Sequence, residues 1–157
     1  MGRPNIQQVS RAGEHFVAAE LHRRGAYAVT FAGNMPRIDI LATDTKQTHT
    51  AAIQVKTMTA RTWQTSITRG RERTEPTEHE THFWIFVELK TPPAQPDFFV
   101  VPEWWIENDI FRTHAEYLAK HGGKRAISNE STHHAIKRSR IEQWRDRWDL
   151  LGLFTEG

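Results

Sequence analysis

At 157 residues, with 38% hydrophobic and 25% charged residues, the chain is long enough for one core and too apolar to be disordered. It has no cysteine, which excludes a disulfide framework and any thiolate nucleophile or metal ligand, and its net charge of +2 does not by itself announce a nucleic-acid partner. No apolar run approaches the roughly 20 residues that span a membrane, and MGRPNIQQVS lacks a signal-peptide core, so a cytoplasmic location is expected.

Residues 6–24 are expected to form a helix, with Ile6, Val9, Phe16, Val17 and Leu21 on one face and Gly25 ending it. Ala26–Ala32 is expected as a strand and Gly33–Pro36 as a turn. Ile38–Thr43 and Ala51–Lys56 are expected as strands, and the short polar connection between them predicts an antiparallel hairpin. The polar stretch 57–82 is expected as a long irregular connection. Phe83–Leu89 is a buried strand, Thr91–Gln95 a turn and Asp97–Val101 another strand. Short helices are expected over 102–108 and 114–121, and a longer one over 135–151, where Ile141, Trp144, Trp148 and Leu151 recur at helical spacing. The order is that of an α/β domain, a mixed sheet flanked by helices, occupying 1–157 as a single unit.

Charge is unevenly distributed. Between Lys56 and Arg73 five basic residues face one acid, and between Lys120 and Arg147 eight face three. Such segregation builds a basic face that attracts phosphate, or a solvated surface of local ion pairs.

The hairpin carries the chemistry. Side chains alternate along a strand, so Ile38 and Ile40 share one face and Asp39 the other. In the next strand Ile53 and Val55 alternate with Gln54 and Lys56. If both strands bury their isoleucines together, Asp39, Gln54 and Lys56 converge. A carboxylate and an amide oxygen are hard donors suited to Mg²⁺ or Mn²⁺, the Val55 carbonyl adds another oxygen, and Lys56 can orient a water or stabilise developing charge. The competing reading is an exposed hairpin face with solvated polar groups.

With a helix bearing Gly13-Glu14 before it, the arrangement Asp39…Gln54-Val55-Lys56 resembles the PD-(D/E)XK nuclease superfamily. It is most similar to small members with Gln in place of the second acid, and to archaeal Holliday-junction resolvases in element order. The resemblance implies a restriction-endonuclease-like core and metal-dependent hydrolysis of phosphodiester bonds in DNA, duplex or branched. It implies Asp39 as the central metal ligand, Gln54 at the second-acid position, Lys56 as the motif lysine and Glu14 as the helix glutamate. Two departures stand out: Pro36 is separated from Asp39 by Arg37 and Ile38, and Gln54 removes one negative charge from the metal shell. The second motivates an alternative, a nucleic-acid-binding or assembly module with a nuclease-like fold and little catalysis.

The helix acid is open to two assignments. The resemblance favours Glu14, whereas Glu20 lies nearer the middle of the apolar arc, where a carboxylate needs a partner. In the 61–73 segment, Arg61, Arg69, Arg71 and Arg73 are candidate phosphate contacts. Trp63 is read as core rather than as a base-stacking platform. His79 and His82, three apart in an expected loop, do not make a helical zinc pair. A domain of this size rarely surrounds a duplex alone, which motivates a homodimer as a hypothesis.

Overall fold

A computed structural model describes residues 2–33, 35–73, 76, 80–124 and 131–154. Helix α1 (Ile6–Arg23) starts at a capping box in which Asn5 and Gln8 satisfy each other's backbone N–H groups. It ends where Gly25 takes φ 96°, a conformation that glycine adopts without steric cost. Strands β1 (Tyr27–Thr30), β2 (Ile40–Thr43) and β3 (Thr50–Met58) follow as an antiparallel meander. Strand β5 (His82–Glu88) then lies parallel to β3, and β6 (Asp97–Pro102) returns antiparallel to β5. The main sheet has the order β1-β2-β3-β5-β6, mixed as expected.

Both faces of the sheet are buried, and the alternation of β5 shows how. Phe83, Ile85 and Val87 join Ile53, Val55, Phe98 and Val100 on the face that α1 covers with Val17 and Leu21. Trp84 and Phe86 join Phe99 and Val101 on the other, covered by Ile106 and Ile110 of α2 (Glu103–Lys120). The expected helices at 102–108 and 114–121 are thus one helix; Asp109–Thr113 contains no Gly or Pro to interrupt it.

Two further expectations are corrected. The 57–82 connection is not irregular throughout: β4 (Thr62–Ser66) pairs antiparallel with β7 (His133–Lys137) in a second sheet. Trp63, 1% exposed, sits opposite Ile136 in this ribbon, donates its indole N–H to the Val87 carbonyl at 3.0 Å and meets Phe86 edge-on. Trp63 is therefore core. The helix over 135–151 does not form. After β7 come one short helix, α3 (Arg138–Ile141), and 3₁₀ turns at Glu142–Trp144 and Trp148–Leu151. The reason is that the four apolar residues serve two cores. Ile141 and Trp144 pack on the α2 face, Trp148 and Leu151 on the α1 face. Between them the chain crosses the edge of β6, where the Asp146 N–H donates to the Phe98 carbonyl at 3.0 Å and Asp146 takes φ 52°. Asn34 of the expected turn and His79 lie outside the described residues. Among the described residues, no helix is long and apolar enough to cross a membrane.

Helix α1 lies so close to β3 that a Cβ on Gly13 would stand 1.8 Å from the Thr57 hydroxyl oxygen. Gly13→Ala is expected to destabilise the fold by about 1–3 kcal/mol through overpacking, read by urea unfolding, and adding Thr57→Ala should return part of that loss. The β2–β3 turn is tied by buried Asp44, which accepts from the Thr48 hydroxyl and N–H, both at 2.7 Å, and from the His49 N–H at 3.1 Å. These bonds, the Thr48 hydroxyl foremost, hold its pKa well below the usual carboxylate range. A lowered folded-state pKa adds stability that is complete above the unfolded value of about 4 and lost as pH falls through the folded value. Asp44→Asn should therefore lower the melting temperature at neutral pH and flatten its decline below about pH 4.

Candidate active site

Strands β2 and β3 part company at Ile40↔Ile53. Beyond that pair β3 continues beside β5, while the chain preceding β2 turns away through Pro36–Ile38. Backbone groups freed by such a divergence need new partners. Asp39 supplies them: its N–H donates to the Ile53 carbonyl at 2.8 Å, and its carboxylate Oδ2 accepts the Val55 N–H at 2.7 Å. The second bond is charge-assisted and fixes the carboxylate beside β3. Its Oδ1 has no hydrogen-bond donor among the described residues.

Asp39 borders a cleft of about 570 Å³ whose lining includes Ser10, Arg11 and Glu14 of α1. The close approach at Gly13 is what brings Glu14 there. Glu14 is paired with Arg11 at 3.0 Å, yet its side chain stays in the cleft wall, 15% exposed. Glu20 is instead bound by Arg23 at 3.0 Å and Arg24 at 3.3 Å and does not line this cleft. Asp39 and Glu14 are thus brought to one cavity. Two carboxylates with open coordination sites suit Mg²⁺, which binds through one or two such groups and keeps several waters. Among the described residues there is no cluster of three or more Asp, Glu, His or Cys side chains able to hold a metal.

Gln54 and Lys56 point to the α2 side of β3. The Gln54 carbonyl oxygen accepts from Arg69 Nη1 at 2.9 Å, and Arg69 Nη2 donates to Glu103 at 3.3 Å. An amide oxygen has two lone pairs, so this bond leaves one for another partner. The Arg69 guanidinium lies 4.6 Å from the centroid of the Trp84 ring and Lys56 Nζ 5.7 Å, both within cation–π range. Burial pushes the Lys56 pKa down; the neighbouring Arg69 charge adds to this and Asp39 opposes it. Burial likewise lowers Arg69, against the pull of Glu103. Burial raises Glu103, and the adjoining Glu107 carboxyl raises it further by hydrogen bond and charge.

The other candidate arginines separate. Arg73 is held by Glu107 at 3.1 Å and Glu80 at 3.7 Å. Arg71 is exposed on the rim of a second groove, and Arg61, exposed between β3 and β4, borders neither cavity. Sequence reasoning passed over Arg37, Trp84 and Glu103. Trp84 was expected only as core, Glu103 only as the first turn of a helix, and nothing in the sequence marks Arg37 as the residue that adopts φ 67°.

No family model matches the chain, and no curated protein matches it in sequence. The fold is restriction-endonuclease-like, a five-stranded mixed sheet between helices. It is similar to the structure of Hjc, a Holliday junction resolvase from the archaeal hyperthermophile Archaeoglobus fulgidus, at 16% identity over 94% of this chain and 98% of that one, with a TM-score of 0.50. It is similar also to the bacterial homing endonuclease I-Ssp6803I, at 12% identity over 96% of this chain and 94% of that one, with a TM-score of 0.50.

Arg69 ties Gln54, Trp84 and Glu103 together, so Arg69→Ala should leave Glu103 half-buried without its cation. A double-mutant cycle of Arg69→Ala and Glu103→Gln, followed by urea unfolding, should give a coupling of about 0.5–3 kcal/mol.

Proposed function

We propose that this protein is a divalent-metal-dependent endonuclease that hydrolyses phosphodiester bonds in DNA. The observation that carries the proposal is the Asp39–Val55 bond, which fixes one carboxylate at the mouth of the cleft that Glu14 also lines, one residue from Lys56 on β3. Asp39 and Glu14 would hold Mg²⁺ or Mn²⁺, with the Gln54 amide oxygen and the Val55 carbonyl as further donors. Once bound, the cation would supply Lewis-acid stabilisation of charge on the phosphate and lower the pKa of water. Asp39 orients through the backbone bond rather than through a flexible side-chain partner. Arg69 holds the Gln54 amide. Lys56, kept partly dry against Trp84, would place its ammonium beside the scissile phosphate and steady the charge that develops there. The similar solved structures are a resolvase and a homing endonuclease, which supports a nucleic-acid substrate. A homodimer, which would widen the surface offered to a duplex, belongs to the same proposal.

A second reading, a nucleic-acid-binding module with little catalysis, is favoured by one observation: Gln54 stands where a carboxylate would strengthen the metal site, and its oxygen is already bonded to Arg69. One panel separates the two. Plasmid, linear duplex, four-way junction and single strand are incubated with Mg²⁺ or Mn²⁺ and the wild type, Asp39→Ala, Lys56→Ala, Glu14→Ala or Glu20→Ala. The expected outcome is metal-dependent cleavage that falls about 10²-fold or more in the first three variants and persists in Glu20→Ala. Salt-sensitive binding without cleavage by the wild type would favour the binding module.

A further inference from the structure

We propose that Arg37 and Arg71 form a clamp for the nucleic-acid backbone on the α2 side of Asp39, while Arg69 and Arg73 are internal struts of the groove it spans. The inference rests on the nuclease reading in that the polyanion gripped is that site's substrate.

The groove has a volume of about 360 Å³ and is bordered by Arg37, Arg71, Arg73, Glu103 and Glu107. Ile38 lines both this groove and the cleft of Glu14 and Asp39, so the two cavities meet around the backbone that carries Asp39. The carboxylates Glu80, Glu103 and Glu107 line the groove, and each is committed: Glu107, 4% exposed, and Glu80 both take Arg73, and Glu103 takes Arg69. Burial, and then the adjoining Glu107 carboxyl, raise the Glu103 pKa. Two cations are left over. Among the described residues neither Arg37 nor Arg71 has a carboxylate partner, and both are exposed.

Their placement is built rather than incidental. The Arg71 N–H donates to the Glu107 carbonyl at 3.0 Å, which anchors its backbone to α2. Arg37 follows Pro36 and takes φ 67°, a left-handed conformation that is strained for a long side chain and concentrates at functional positions. Its charge is close enough to depress the Arg69 pKa, so it acts on the groove, not only on bulk water. Two guanidinium groups lining one groove, each able to take two phosphate oxygens, suit a phosphodiester backbone running past Asp39.

The test is fluorescence anisotropy with a fluorescein-labelled DNA duplex in EDTA, over a series of salt concentrations. Each phosphate contact contributes about 0.9 to the slope of log affinity against log salt. Arg37→Gly and Arg71→Ala should each lower the slope by about that amount, and the double variant by about twice as much, whereas Arg147→Ala, on an arginine paired with Asp149, should leave it unchanged. Glycine adopts φ 67° freely, so Arg37→Gly should melt no lower than the wild type, and Arg37→Lys should restore the slope. In the cleavage assay the clamp variants should raise KM with kcat retained. Slopes equal to that of the wild type, or no salt-dependent binding by the wild type, would overturn the clamp. Binding without cleavage, with the slopes reduced as stated, would uphold the clamp and sink the nuclease reading.

Discussion

Where β2 swings away from β3, the Val55 N–H must find an acceptor, and the Asp39 carboxylate is the one it finds. Much else depends on that bond. It holds the end of β2 against β3 after their backbone ladder has stopped. It uses one carboxylate oxygen and leaves the other open to the cleft. It also explains why a strand rich in isoleucine tolerates an aspartate: an unpaired buried N–H costs more than a well-bonded carboxylate at a half-open edge.

The sheet imposes a second constraint because both of its faces are apolar. One helix covers each face, and the remainder must be covered by chain that can reach both sides. Residues 138–151 do this by passing around the edge of β6. Glu88 and Asp97 lie directly opposite each other at that edge, where two like charges would repel. Arg138 bonds both, at 2.6 and 2.9 Å, and Lys90 and Arg145 bond Asp97 as well. The edge acids thereby become the fastening for the segment that crosses them. Arg138 and Arg145 are thus the rivets of this crossing.

The elements legible in the sequence are those whose pattern answers to a single environment. Helix α1 ends at its glycine, β5 is apolar throughout because it is buried twice, and β2 alternates. Of the apolar face expected for α1, Val17 and Leu21 are buried, whereas Phe16 is exposed and Ile6 is 90% exposed, because the first turns run past the edge of the sheet they would have to cover. The C-terminal segment was misread because helical spacing says that apolar residues are neighbours, and Trp144 and Trp148 are neighbours in sequence that face opposite cores. Strands β4 and β7 escaped notice because TWQTS and HHAIK each bury essentially one large side chain, too few to establish a period of two. At the site, alternation told that Gln54 and Lys56 share a face of β3, but not that Asp39 borders the Glu14 cleft, which neither of them lines. The hold of Arg69 on Gln54 was not legible, since it joins side chains from separate elements. Glu14 was separable from Glu20 only by the packing of Gly13 on Thr57, which amphipathic arcs do not contain.

The crossing at β6 also sets an order of events. On the α1 face, Val17 and Leu21 near one end of the chain pack in the same cluster as Trp148 and Leu151 near the other, and Arg24 lies over the Trp148 ring at 4.8 Å. Those contacts close the longest loop in the molecule and gain nothing until it is closed. The meander β1-β2-β3, by contrast, forms from near neighbours. Assembly of the domain should therefore be paced by the late docking of its final turns onto a preformed sheet, the slow kinetics of a high-contact-order topology rather than of its helices.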